Sequence, residues 1–319
     1  MGSSPEAAPE VVITHLGSGK YSDVFSVRCG QRRVAMKISY YRDSTLQRVR
    51  RRALRGDLAG ALTAKRADAV SVSWEFSKLT HSLLDSVSPH FVVVFTSEDV
   101  DGLAHRLRSL LRERLAALTS SQAKHTNVCF MERFDSSLTA YLRSGTAMAD
   151  ATLCGVIFQV VYTLAALQKH LPGFRHNDLS TNNVLVRAVP AWTGAYTVNR
   201  QTYFVTVPVF VALADYDFVH VPATPRLTNE RILGGRYPEM SAEPNPSYDV
   251  HLFLASVARC IKGQHAPRTH DFLASLGLHA SDRLRAPVPK LFPRVLLLHS
   301  YFDALKKPRR AAAAFATSA

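Results

Sequence analysis

The sequence has few cysteines and no long hydrophobic run. Its four cysteines, at positions 29, 129, 154 and 260, are far apart and form no C-x-x-C pair. Their spacing argues against a disulfide framework or a cysteine-based zinc site and fits a reducing compartment. The longest apolar runs, such as residues 90–95, have strand length and are too short to cross a bilayer. The N-terminus has no apolar secretory segment, so we expect an intracellular protein without a membrane partner. We also expect the protein to be a monomer.

The sequence is also short of acidic residues. It holds 39 Lys and Arg against 25 Asp and Glu, a net charge of +14, which excludes an acidic surface and attracts anions. Much of the excess lies in residues 42–66 and 99–125, which we expect to be basic helical inserts. Such a charge run is most often a solvated helix face, and the alternative is contact with an acidic protein or with nucleic acid. The leucine spacing over residues 103–118 predicts one continuous amphipathic helix.

Strand-like and helix-like patterns occupy different parts of the chain. Short strands separated by Gly-containing turns run from Val11 to Ile38, and further strands are predicted at 91–95 and 128–131. A helix is predicted over 71–87, and from about residue 137 the pattern is mainly helical, with a buried helix over 151–170. We therefore expect an α+β fold with two lobes and a cleft between them. The predicted boundaries are a flexible N-terminus at 1–10, a first lobe at 11–134, a short second lobe at 135–305 and a basic, Ala-rich tail at 306–319.

A glycine-rich turn and a lysine lie close together in the first lobe. Gly17-Ser18-Gly19 joins two predicted strands instead of a strand and a helix, which argues against a Rossmann site. Lys37 follows an apolar triplet on the next strand, where a buried ammonium needs an opposite charge. Glu75 on the following helix is the predicted partner of Lys37.

The strongest chemical signal is a set of oxygen-bearing side chains in the second lobe. Asp178 is followed five positions later by Asn183 and an apolar strand, and Asp215 ends a later apolar strand. In phosphoryl transfer an Asp accepts the hydroxyl proton, while Asn and Asp oxygens hold Mg²⁺ against the phosphates. Each of these residues alone is explained by a turn or a cap. Their joint order after the Gly turn and Lys37 indicates phosphoryl transfer.

These motifs resemble those of protein kinases over about residues 11–305. The His-Asn-Asp-Leu-Ser-Thr-Asn-Asn, Asp-Tyr-Asp-Phe and Tyr-Asp-Val-His-Leu-Phe stretches are similar to the divergent, haspin-like serine/threonine kinases of large DNA viruses. The resemblance implies a bilobal kinase-like fold, an extended hairpin between Asn183 and Asp215, ATP with Mg²⁺ or Mn²⁺, and protein substrates. It also implies a location in the host cytoplasm or the virion, and the basic run 306–310 allows for the nucleus.

The resemblance assigns a role to each matching residue. Asp178 corresponds to the catalytic base, Lys37 and Glu75 to the phosphate-binding ion pair, and Asn183 and Asp215 to the metal ligands. The expected nucleotide-binding residues are Leu16, Gly17, Ser18, Gly19, Val24, Ala35, Lys37, Met131, Glu132, Phe134 and Leu185. Residues 131–134 correspond to the hinge, which would bind adenine through its backbone. Asp249 corresponds to the helix residue that braces the catalytic loop.

Three positions depart from the common kinase pattern. Asn177 replaces the Arg that pairs with a phosphorylated activation loop, so we expect activity without loop phosphorylation. Ser180 replaces a Lys that contacts the transferred phosphoryl group, which leaves the choice between Ser/Thr and Tyr acceptors open. Asp217 replaces a flexible Gly, so either Asp215 or Asp217 could face the metal, and we favour Asp215 from its position after the strand.

Two other functions remain as alternatives. Small-molecule phosphotransferases of the aminoglycoside or choline kinase type share the fold and the His-Asn-Asp motif, but the Gly17/Gly19 turn and Asp249 favour a protein kinase. The second alternative is a pseudokinase or a non-catalytic basic scaffold. The presence of a suitable residue at every catalytic position argues against a pseudokinase.

Overall fold

The computed structural model describes residues 10–144, 148–233, 245–261, 265–278 and 291–306. The predicted flexible N-terminus and the basic tail lie outside the described residues, apart from Glu10 and Lys306.

The first lobe contains a five-stranded antiparallel sheet. Its strands are β1 (Val11–Ser18), β2 (Ser22–Cys29), β3 (Arg32–Tyr40), β4 (Val94–Asp101) and β5 (His125–Met131), in the order β1-β2-β3-β5-β4. The predicted meander over residues 11–38 is confirmed. Gly30 makes the turn between β2 and β3 with φ of 59°, a backbone conformation that favours glycine.

Three helices connect β3 to β4 in the first lobe. They are α1 (Asp43–Leu54), α2 (Leu58–Arg66) and α3 (Ala69–Ser82). The side chains of Asp57 and Asp68 cap α2 and α3 by accepting hydrogen bonds from backbone amides in the first turn. The first basic insert is helical, as predicted. The helix predicted over 71–87 is present as α3, with Val72 and Phe76 fully buried, but it ends at Ser82 and residues 83–87 form turns.

Two predictions for the first lobe are wrong in detail. The helix predicted over 103–118 is divided into α4 (Leu103–Arg106), α5 (Arg112–Ala117) and α6 (Ser120–Lys124). The amides of Leu110 and Leu111 both donate to the Leu107 carbonyl in a tight turn, and most of the leucine stripe still packs against the sheet. The strand predicted over 91–95 begins only at Val94, because Phe91 instead forms a bridge to Leu213 in the second lobe.

The second lobe combines helices with a long β-hairpin. Its strands are β6 (Ser136–Ser137), β7 (Val184–Val198) and β8 (Gln201–Leu213), and its helices are α7 (Leu138–Arg143), α8 (Asp150–His170), α9 (Glu230–Leu233), α10 (Tyr248–Cys260), α11 (Pro267–Ser275) and α12 (Pro293–Leu296). Short 3-10 helices lie at Thr181–Asn183, Pro225–Leu227 and Ser300–Leu305. The hairpin confirms the extended connection expected between Asn183 and Asp215.

The core of the second lobe forms where α8 packs on the hairpin. Gly155 of α8 faces Val207 of β8 so closely that a Cβ atom on this glycine would lie 2.5 Å from a valine methyl group. The buried helix predicted over 151–170 is confirmed as α8, which by length and composition could cross a membrane. However, 67% of its most apolar stretch is buried inside the fold, as in the core helix of a globular protein.

Candidate active site

A cleft of about 750 Å³ lies between the sheet and the second lobe. Its volume is in the range of small-molecule and cofactor sites. All eleven predicted nucleotide-binding residues line it: Leu16, Gly17, Ser18, Gly19, Val24, Ala35, Lys37, Met131, Glu132, Phe134 and Leu185. The two predicted metal ligands, Asn183 and Asp215, line the same cleft. Residues far apart in the sequence are therefore brought to one site.

The glycine-rich turn covers one side of this cleft. It connects β1 to β2, and its tip is closed by a 2.8 Å hydrogen bond from the Gly19 amide to the Ser22 carbonyl. The pairing shifts by one residue between His15 and Gly17, which marks a local bulge at the cleft edge. Val24 follows the turn on β2 and pairs with Lys37 on β3. The local meander thus presents the turn and the lysine to the same cavity.

Lys37 forms the central ion pair of the site. Its Nζ donates to Asp215 Oδ1 at 2.8 Å and lies 3.6 Å from Asp217 Oδ1. Desolvation alone would lower the pKa of Lys37, but the two carboxylates raise it above its ordinary value. The lysine is therefore a fixed positive charge at the end of the cleft.

The two aspartates beside Lys37 differ in their electrostatics. Desolvation would raise the pKa of Asp215, but the charge and hydrogen bond of Lys37 lower it below the usual range. For Asp217, desolvation and then the neighbouring Asp215 carboxylate raise the pKa to about 7. Asp215 is thus the better anion, it lines the cleft, and its φ of 66° is a conformation rarely adopted outside glycine. These features favour Asp215 over Asp217 as the metal ligand.

The loop carrying Asp178 is braced from α10. The buried carboxylate of Asp249 accepts hydrogen bonds from the backbone amides of His176 and Asn177, at 2.7 and 2.8 Å. His176 Nε2 donates to the Ala214 carbonyl at 3.0 Å, which ties this loop to the strand end before Asp215. The contacts of Asp249 agree with the bracing expected of it.

Asn177 occupies the position where the common kinase pattern has Arg. Its φ is 66°, and its Nδ2 donates to the Phe218 carbonyl at 3.0 Å. Its side chain therefore holds the backbone just after Asp217 by a neutral hydrogen bond instead of by a charge.

Asp178 and Asn183 contact each other across the loop that carries them both. Asn183 Nδ2 donates to the Asp178 carbonyl at 2.7 Å and to its carboxylate at 3.2 Å. The Ala214 amide donates to the Asn183 carbonyl at 2.9 Å, so the loop and the end of β8 are held together. Since the Asn183 NH₂ group faces Asp178, its Oδ1 points elsewhere, as a metal-binding amide oxygen requires.

The predicted pairing of Lys37 with Glu75 is wrong. Lys37 pairs with Asp215 and Asp217, whereas the Glu75 carboxylate accepts a hydrogen bond from Lys78. The helical period explains the difference. The residues of α3 that line the cleft are spaced at i, i+3, i+4 and i+7, and they are Val70, Ser73, Trp74 and Ser77. Glu75 lies outside this stripe.

In the predicted hinge, the backbone amide and the carboxylate of Glu132 both form hydrogen bonds with other residues of the protein. The Glu132 amide donates to the Val93 carbonyl at 2.9 Å, and its carboxylate accepts from the Val93 amide and from Arg187, both at 2.8 Å. A ligand at this edge would therefore meet other backbone groups of residues 131–134 than the Glu132 amide.

Comparison with known proteins finds a kinase among the relatives of part of this chain. The chain is 27% identical over 127 residues to "Putative serine/threonine-protein kinase R400" of Acanthamoeba polyphaga mimivirus, a match that spans 37% of this chain and 27% of the relative. Over this stretch the chain is similar to a protein kinase. The crystal structure of the PF14_0431 kinase domain overlaps 89% of this chain and 67% of that one, with 10% identity and a TM-score of 0.40, which is too distant to support an inference by itself. No protein-family model matches the chain.

Two residues behind the glycine-rich turn form a contact that the sequence did not reveal. Asp23 is buried beside the glycine-rich turn, where it contacts Ser18, Tyr40 and Arg114. Arg114 belongs to the second basic insert and lies 91 positions from Asp23 in the sequence. Nothing in the local pattern around either residue predicts this contact, because it depends on how the insert packs on the sheet.

Proposed function

We propose that this chain is an ATP-dependent protein kinase that transfers the γ-phosphoryl group to serine or threonine hydroxyls, and that it is of viral origin. One observation carries the proposal. A single cleft collects the glycine-rich turn, Lys37, Asn183 and Asp215, with Asp178 hydrogen-bonded to Asn183 beside it. The mimivirus relative supports the serine/threonine preference and the viral origin, although it is matched over only 27% of its length.

The residues of the site fit a nucleotide and a divalent cation. The apolar side chains of Val24, Ala35 and Leu185 suit a purine ring, and the Lys37 ammonium suits phosphate oxygens. Asn183 and Asp215 offer the hard oxygen ligands that Mg²⁺ prefers. Among the described residues no group of three His, Cys, Asp or Glu side chains forms a metal cluster, so a bound cation would also need phosphate and water ligands.

The proposed chemistry assigns one task to each side chain. Lys37 and the glycine-rich turn position the phosphates, and Asp178 accepts the proton of the attacking hydroxyl. The Mg²⁺ ion, held by Asn183 and Asp215, would supply charge neutralisation on the phosphate oxygens. Asp249 holds the catalytic loop in place through its two amide contacts.

We further propose activity without phosphorylation of the loop after Asp217. Helix α9 in this region already contacts the first lobe in two ways. Arg48 of α1 pairs with Glu230 at 2.7 Å, and the Arg231 guanidinium lies 5.8 Å from the centre of the Tyr21 ring at the glycine-rich turn. These contacts support a loop held without a phosphate group. Loss of activity after phosphatase treatment, together with a phosphosite mapped between residues 216 and 240, would refute it.

The experiment that tests the proposed function is a γ-phosphate transfer assay on a panel of acceptors. Purified protein, ATP and Mg²⁺ are incubated with basic proteins, viral and host proteins, choline and aminoglycosides. We expect label on serine or threonine of protein acceptors and none on the small molecules. Label on choline or an aminoglycoside alone would favour a small-molecule phosphotransferase. Salt-sensitive nucleic-acid binding without any transfer would favour the basic scaffold.

A further inference from the structure

One arginine of the second basic insert reaches the glycine-rich turn. Arg114 on α5 donates from Nη2 to the Gly19 carbonyl at 2.6 Å, and from Nε to Asp23 Oδ2 at 2.9 Å. We propose that Arg114 is a positioning residue that fixes the turn in its nucleotide-binding shape. This inference rests on the proposed function, because it assigns the turn to nucleotide binding.

The contact point for Arg114 is a buried carboxylate. Asp23 is only 2% exposed, and it also accepts hydrogen bonds from Ser18 Oγ and, at 2.8 Å, from the Tyr40 hydroxyl. Burial would raise the pKa of Asp23, but the hydrogen bonds from Ser18, Arg114 and Tyr40 lower it below its usual value. A buried carboxylate needs such partners, and Arg114 is the cation that forms a hydrogen-bonded ion pair with it.

The guanidinium joins the two ends of the turn. Gly19 precedes the tip and Asp23 follows it, and Arg114 contacts both, with Nη2 lying 3.2 Å from the second carboxylate oxygen of Asp23. The planar guanidinium can make these bonds together, whereas a lysine ammonium lacks this geometry. The turn is thereby ordered before any ligand binds, which reduces the entropy cost of nucleotide binding.

The insert that carries Arg114 is itself firmly packed. Ala104 and Leu111 are buried, and Leu107 and Leu115 pack against the same cluster under the sheet. The Arg114 side chain is only 19% exposed. Neither Arg114 nor Asp23 lines the cleft. Arg114 would therefore act by holding the turn and not by contacting the ligand.

The test compares Arg114→Ala and Arg114→Lys with Arg108→Ala. Arg108→Ala is the matched control, because it removes an exposed arginine from the same insert. Two quantities are measured: hydrogen exchange of the backbone amides of residues 16–24 in nucleotide-free protein, and the dissociation constant of a fluorescent ATP analogue. Steady-state transfer then separates the KM for ATP from kcat.

We expect both Arg114 variants to speed exchange in residues 16–24 by about tenfold or more, because each charge-assisted hydrogen bond that is lost accounts for about a factor of ten. Analogue affinity should weaken by a similar factor, with the KM for ATP raised and kcat little changed, while Arg108→Ala matches the wild type. Unchanged exchange in the Arg114 variants would overturn the inference. So would faster exchange with unchanged affinity, or equally fast exchange throughout the first lobe. A wild-type protein that binds no nucleotide would overturn the proposed function and the positioning role, and the exchange data would still decide whether Arg114 orders the turn.

Discussion

Acid should destabilise the protein through one buried histidine, His90. Its side chain is fully buried, and Nδ1 lies 2.7 Å from the Val211 carbonyl. Since a carbonyl can only accept, Nδ1 carries the proton, and Nε2 accepts from the Tyr196 hydroxyl at 2.7 Å. The Tyr196 hydroxyl in turn accepts from Trp192 Nε1 at 3.2 Å. The neutral imidazole is therefore fully hydrogen-bonded, and a second ring proton would face a hydroxyl that already has a partner.

The pKa of His90 sets the size of the effect. Burial lowers it from 6.5 to about 4, and the bond to Val211 opposes this shift only partly. Because the unfolded chain binds the proton more readily, the free energy of unfolding falls as the pH drops from 6.5 towards 4. At about 1.4 kcal/mol for each pKa unit, the full loss is about 3 kcal/mol. Above pH 6.5 this stabilisation is fully present.

The assay is urea unfolding of the wild type and of His90→Gln between pH 7.5 and pH 4. The difference between the two proteins is the relevant quantity, because Asp217, with a pKa raised to about 7, stabilises the fold as the pH falls. That opposing contribution is shared by both proteins and cancels. The wild type should lose about 3 kcal/mol relative to the variant across this window, whereas the exposed His105→Gln should follow the wild type. A difference that does not change with pH would refute the reasoning.

Three further predictions concern packing, the contact between the lobes, and the catalytic loop. Gly155→Ala should lower the free energy of unfolding by about 1–3 kcal/mol in urea, because its Cβ would crowd Val207; an unchanged midpoint would contradict this packing. Arg48→Glu should speed hydrogen exchange in residues 225–233, because repulsion with Glu230 replaces an attraction. The free energy of local opening should fall by at most about 1 kcal/mol for this partly exposed pair, and adding Glu230→Arg should restore it. Asp249→Asn should lower the free energy of unfolding in urea by about 3 kcal/mol and reduce kcat, because the amides of His176 and Asn177 lose a charged acceptor. A variant as stable as the wild type would show that these two hydrogen bonds are unimportant.

The site residues could be predicted because most of their signals are local. The glycine-rich turn and Lys37 belong to one meander of adjacent strands, and Asp178 precedes Asn183 by five positions in one loop. Asp215 follows the hairpin whose first strand begins directly after Asn183, so strand pairing returns the chain to the same place. Such contacts follow from the order of the elements alone.

The contacts that could not be predicted depend on how separate elements pack. The rotation of α3 directs Ser73 and Ser77 to the cleft, and a residue count between Lys37 and Glu75 carries no information about it. The Arg114 contact likewise depends on an insert whose helix is interrupted after Leu107. In both cases the burial of apolar side chains elsewhere in the element fixes where the polar residue lies.

The most direct test of the central claim is ATP-dependent phosphate transfer by the wild type and by Asp178→Asn, each with the binding of a fluorescent ATP analogue measured in parallel. Asp178→Asn should reduce kcat by about 10² or more, because the proton acceptor is lost, while analogue affinity and the far-UV circular dichroism spectrum stay as in the wild type. Equal transfer by the two proteins, or no transfer by the wild type to any protein acceptor, would contradict the account.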